Sequence, residues 1–170
     1  MGVFDPATNE FHLVGSTIPG NNKYWGGVLA PNGKIVFVPV DAHAVGVFDP
    51  TTNDFLAFDS SAGYVIPNYS GGVLAPNGMI FFVPFLAHSV GVFDPAANEF
   101  NAVTISSSNS TAGKYLGGVL TPSGRIVLVP YGAESVGIID SLDCAPAYEV
   151  AGGALPDSWR ALLSQHSNNF

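Results

Sequence analysis

Short apolar runs separated by turn residues recur along this chain. Val28-Leu29-Ala30, Ile35-Val36-Phe37-Val38, Val45-Gly46-Val47-Phe48 and Phe55-Leu56-Ala57-Phe58 form one set of four. Each is shorter than a stable helix needs, and none carries a 3.6-residue apolar period, so each reads as a β-strand. Ile35–Val38 is apolar without alternation, which predicts a strand covered on both faces. The outer run alternates better, since Glu10, His12 and Asn101 fall between apolar neighbours. Pro31-Asn32-Gly33 predicts a tight hairpin, with Asn-Gly in the positive φ region that a type I′ turn needs. Asp49-Pro50-Thr51-Thr52-Asn53 predicts a second turn: Pro50 sets φ, Asp49 bonds its own backbone, and Asn53 tolerates a left-handed position.

The set is repeated. GGVLAPNGKIVFVPVDAHAVGVFDPTTNDF at Gly26–Phe55 returns at Gly71–Phe100 and, with more changes, from Gly117 to about Asp140. Gly33 to Asp49, Gly78 to Asp94 and Gly124 to Asp140 are each 16 residues apart, whereas Asp5 to Gly26, Asp49 to Gly71 and Asp94 to Gly117 are 21, 22 and 23. One half of the unit is therefore rigid and the other carries an elastic polar connection. Four short antiparallel strands in a repeat of about 45 residues is the pattern of a β-propeller blade. The expected fold is all-β, with about three and a half four-stranded blades. Residues 1–150 hold the repeats: a half blade at 1–14 and blades at about 24–60, 69–105 and 115–150. Residues 151–170 change composition, and Pro156-Asp157-Ser158-Trp159 opens a short capped helix expected to cover an exposed blade. Tyr24, Tyr69 and Tyr115 stay in register, two residues before Gly26, Gly71 and Gly117. These aromatics are expected to pack between blades while the glycines let the innermost strands crowd together.

The pattern LAPNGKIVFVP followed by VGVFDPTTNDF resembles the repeats of the NHL, streptogramin-lyase and SMP-30/gluconolactonase-like propellers. The likeness covers residues 1 to about 140 and implies a fold rather than an activity, because enzymes and binding proteins share such blades. Lyase-like repeats tend to carry an acidic residue just after the apolar strand. Here that position is Pro39, Pro84 and Pro130, which speaks against a metal site of that kind. Closed propellers of these families also need more blades than three and a half. The open strand edges predict either a fragment of a longer polypeptide or a subunit completed by a partner.

Composition narrows the function classes. Hydrophobic residues make up 47 % and charged residues 11 %, which suits strands that are mostly buried. Five Lys+Arg stand against thirteen Asp+Glu, for a net charge of −8 without any basic run, so a nucleic-acid or anionic-membrane surface is not expected. No run approaches the roughly 18 apolar residues that cross a bilayer. The single Cys144 rules out an internal disulfide. Localisation is not legible. No phosphate-binding glycine loop, Cys-x-x-Cys pair or nucleophile elbow occurs.

One constellation bears chemistry. His43, His88 and Glu134 hold the same repeat position, in the connection between second and third strands, where blades share one face. Two imidazoles and a carboxylate suit zinc or another transition metal, and a histidine there could act as a general base. The competing explanation is exposed loop residues kept alike by duplication, and the unrelated neighbours Asp41, Leu86 and Gly132 favour it. Asp5, Asp49, Asp94 and Asp140 form the longest acidic series, each explained by its own turn. The sequence thus predicts a non-catalytic repeat protein, without a cofactor, that binds other protein chains or self-associates through open blade edges. The alternative is a lactonase-like or lyase-like enzyme that would hold a divalent metal near His43, His88 and Glu134. A carbohydrate-binding propeller is a third option, weakened because Trp25 does not recur in the other repeats.

Overall fold

The computed structural model describes residues 2–13, 18, 22–59, 68–105 and 113–141. Among them every regular element is a strand: β1 (Gly2–Asp5), β2 (Glu10–Leu13), β3 (Tyr24–Leu29), β4 (Ile35–Pro39), β5 (Ala44–Asp49), β6 (Asp54–Asp59), β7 (Tyr69–Leu74), β8 (Ile80–Pro84), β9 (Ser89–Asp94), β10 (Glu99–Thr104), β11 (Tyr115–Leu120), β12 (Arg125–Pro130) and β13 (Gly137–Asp140). Each pairs antiparallel with its sequence neighbour, giving sheets β1-β2, β3-β4-β5-β6, β7-β8-β9-β10 and β11-β12-β13. These are a half sheet, a first blade, a central blade and a third blade. For the third, strand pairing is described as far as Asp140. The fourth strand expected before residue 150 and the helical tail expected at 151–170 lie outside the described residues.

The hairpin differs from the expectation. Gly33 and Gly78 have φ of 81° and 85°, but Asn32 and Asn77 are absent from the positive-φ residues, so the turn is not type I′. The Gly33 N–H donates to the Ala30 carbonyl and the Ala30 N–H to the Lys34 carbonyl, which makes Pro31-Asn32 the centre of a type I turn followed by a left-handed glycine. Proline at the first central position selects this geometry, since its φ near −65° is incompatible with type I′. The second turn is as expected. Asn9, Asn53 and Asn98 take φ of 57°, 61° and 57°. Asp5 accepts a bond from the Ala7 N–H at 2.8 Å, Asp49 from Thr51 at 2.9 Å and Asp94 from Ala96 at 2.8 Å. That bond holds the Asp49 carboxyl below its ordinary pKa.

Within a sheet, alternate residues face opposite sides. In the first blade Val28, Val36 and Val47 are cross-strand partners on one side, and Ile35, Phe48 and Phe55 on the other. The aliphatic side of the first blade, with Val36, Val38, Val45 and Val47, joins the aromatic side of the central blade, with Tyr69, Ile80, Phe82 and Phe93, in one core cluster. The opposite side of the central blade, with Val73, Phe81, Val83, Val90 and Val92, joins Ile126 and Leu128 of the third in a second cluster. The same side of each blade therefore faces the next along the chain, and all of β8 is buried.

Glycines set the approach distances. A Cβ on Gly72 would stand 2.8 Å from Val28 of the neighbouring blade, and one on Gly91 would stand 2.8 Å from Phe100 and 3.0 Å from Phe82 and Tyr69. Tyr69 is fully buried, its ring centroid 5.6 Å from Phe82 and 6.3 Å from Phe100, and Phe82 stacks on Phe100 at 5.9 Å. The same packing appears in the first blade with Tyr24, Phe37 and Phe55 around Gly46. Polar ties repeat too. The Asn32 amide donates to the Pro95 carbonyl at 2.9 Å and the Asn77 amide to the Ser141 carbonyl at 3.1 Å, each from one blade's hairpin to the next blade's outer turn.

Candidate functional site

The connections between second and third strands gather at one end of the stack. Their first residues, Val40, Phe85 and Tyr131, are equivalent and follow the prolines Pro39, Pro84 and Pro130. Their N–H groups bond the strand entry of the same blade: Val40 to the Lys23 carbonyl at 3.0 Å, Phe85 to Asn68 at 3.1 Å and Tyr131 to Lys114 at 2.9 Å. The Lys114 N–H donates to the Phe85 carbonyl at 2.9 Å, tying the central and third blades at this end. Burial of Lys114 between them lowers its ammonium pKa by desolvation.

Between the first and central blades these loops enclose an open cleft of about 400 Å³, lined by Asn22, Tyr24, Trp25, Val40, Asp41, Asn68, Phe85 and Leu86. The half-exposed Trp25 meets Phe85 edge to face at 5.6 Å and 63°, and Phe85 meets Tyr131 at 6.0 Å and 46°. Three rings from three blades thus make one continuous line. Gly113 permits it: a Cβ there would stand 3.1 Å from Phe85 and 3.2 Å from Tyr131, and its φ is +71°. An aromatic line beside two amides and the Asp41 carboxylate offers flat apolar surface with hydrogen-bonding groups at its border.

His43, His88 and Glu134 occupy these same connections, all three exposed. The fold puts them at one end, yet among the described residues no three His, Cys, Asp or Glu side chains lie close enough together to hold a metal ion. Repeat equivalence gives them the same place on successive blades without bringing their side chains together. The ring line was hidden in the sequence because its members are not equivalent: Trp25 belongs to an inner strand and Phe85 and Tyr131 to loops. The signal available was the apolar series Val40, Phe85, Tyr131 just outside a strand, where a loop residue is usually polar.

No protein-family model matches the sequence, and no curated protein is similar enough to count as a relative. Solved structures are similar in shape. Virginiamycin B lyase from Staphylococcus aureus superposes with a TM-score of 0.67 at 13 % identity, over 83 % of this chain and 45 % of the lyase chain. A streptogramin B lyase gives 0.60 at 15 % identity, over 79 % and 43 %, and Kuenenia stuttgartiensis hydrazine synthase gives 0.61 at 16 %, over 84 % and 40 %. The fold is β-propeller-like. Identities this low carry the fold alone, and the chain spans less than half the length of each neighbour.

Proposed function

We propose that this chain is a non-catalytic propeller-repeat protein that acts by binding another polypeptide within a larger assembly. The outer face of the third blade supports the reading. Val119, Val129, Val136 and Ile138 lie on one side of that sheet and are 61, 45, 53 and 62 % exposed. Their equivalents in the central blade, Val73, Val83, Val90 and Val92, are all buried. Four aliphatic side chains in a row on a sheet face mark a contact surface rather than a solvated one. At the loop end, by contrast, Asp41, His43, His88 and Glu134 are exposed and do not cluster, and the buried Lys114 has no acidic partner among them, which gives little support to a reaction centre.

The test is native electrophoresis of extracts from cells that make the protein. Migration well above the mass of the single chain is expected; migration as the single chain would sink the assembly reading. The line Trp25–Phe85–Tyr131 with its bordering amides favours a second reading, a glycan-binding surface. Titration with an oligosaccharide panel should then quench tryptophan fluorescence in the parent and not in Trp25→Ala, and a flat titration across the panel would remove it.

A further inference from the structure

The two seams between stacked blades differ at the loop end. Between the central and third blades the Lys114 N–H donates to the Phe85 carbonyl at 2.9 Å, and the Ser70 hydroxyl donates to the Tyr115 carbonyl at 2.6 Å. These two bonds close that seam.

Between the first and central blades the repeat puts Asn68 in the place of Lys114, Val40 in that of Phe85 and Trp25 in that of Ser70. The Asn68 N–H and the Val40 carbonyl make no bond with each other. Trp25 brings no hydroxyl to the Tyr69 carbonyl, and its ring lies against Phe85 instead. Both ties are therefore missing, and the seam stands open as the cleft of about 400 Å³.

Resting on the reading that this chain binds another polypeptide, we propose that the cleft takes an extended segment of the partner, with an aliphatic side chain next to a basic one. In a trans amide the N–H and the carbonyl point in opposite directions, so one peptide group accepts from Asn68 on one wall and donates to Val40 on the other. Main-chain pairing combined with a pocket for a side chain is a recurring mode of peptide recognition. Trp25 and Phe85 meet at 63°, and planes so inclined hold an aliphatic side chain between them, whereas a pyranose stacks on a face it can lie flat against. Asp41 is the one charged side chain among the described residues that line the cleft, and the whole chain carries a net −8. A basic neighbour in the segment is the complement to both.

Fluorescence anisotropy of the full chain tests this with labelled, end-blocked tripeptides that combine leucine with lysine or arginine, set beside the same peptides carrying glutamate. The basic set is expected to bind, more weakly as salt is added, and the acidic set is not. Trp25→Ser installs the residue that closes the other seam, so it should cut affinity at least about tenfold while the urea midpoint holds or rises. Asp41→Asn, at an exposed side chain, should weaken the basic peptides about threefold and remove most of the salt dependence. Flat titrations across the basic set, equal binding of the acidic set, or affinity unchanged in either variant overturns the inference. Binding of oligosaccharides in place of peptides overturns it as well, in favour of the glycan reading. If native extracts still hold the chain in a larger complex, the assembly reading survives that failure with its contact elsewhere on the molecule.

Discussion

The central and third blades share one repeat pattern and meet opposite fates. Val92 and Ile138 hold the same repeat position, yet Val92 is buried and Ile138 is largely in water. The difference owes nothing to local sequence, since both sit in a third strand paired to an apolar second strand. It comes from neighbours: the central blade has a sheet on each side, and among the described residues the third has one on one side only. A repeat therefore fixes which side of a blade is adhesive, and position in the stack fixes whether adhesion is satisfied.

The sharpest way to break this comparison is to place the same carboxylate at both positions. Val92→Asp buries a charge between two sheets and should cost at least about 4 kcal/mol, enough to abolish cooperative folding. Ile138→Asp should move the stability of the single chain by about 0.5 kcal/mol or less. Urea melts at concentrations below any self-association decide it, and equal losses would show that the third blade's outer face is covered within the chain. A core truncation gives the next largest contrast. Phe82→Ala removes a ring packed by Tyr69, Phe93 and Phe100 and should cost about 3–5 kcal/mol. Phe37→Ala, at the half-buried equivalent in the first blade, should cost about half as much in the same melts.

Alkali probes the same cluster through its tyrosine. Burial raises the Tyr69 phenol to about 12, and its bond with the Ser89 hydroxyl offsets part of the rise. The folded chain keeps this proton where the unfolded chain releases it, so the contribution is whole below pH 10 and is lost as pH rises toward 12. Thermal melts should record a loss of about 2–3 kcal/mol across that window, absent in Tyr69→Phe. Tyr24, at the equivalent position of the first blade, is raised in the same direction by partial burial. The smallest effect belongs to the hairpin ties. Asn32→Ala loses the bond to Pro95 and should cost about 1 kcal/mol, while Ser123→Ala, whose hydroxyl bonds only its own turn, should cost a few tenths.

Much of the fold was legible in the chain. The spacing of Gly33, Gly78 and Gly124 to their aspartates located the hairpins and outer turns among the described residues, because turn chemistry is local and a two-residue side-chain period does not depend on neighbours. The type of the hairpin was misread: Asn-Gly was weighed without Pro31 before it, and the fixed φ of proline decides. The candidate site was less legible. His43, His88 and Glu134 share a repeat position, yet among the described residues no three such side chains lie close enough to hold a metal ion, because equivalence copies an address in each blade and not the distances between blades. The ring line of Trp25, Phe85 and Tyr131 is assembled from inequivalent positions and exists only once blades are stacked.

The sequence by itself determined strand, turn and blade, and which residues alternate onto a common side of each strand, since these follow from dihedral preferences and alternation within some forty residues. Tertiary structure alone decided which of those sides are buried and which loops meet. Burial depends on what lies beyond the repeat, and no residue carries that information within its own unit.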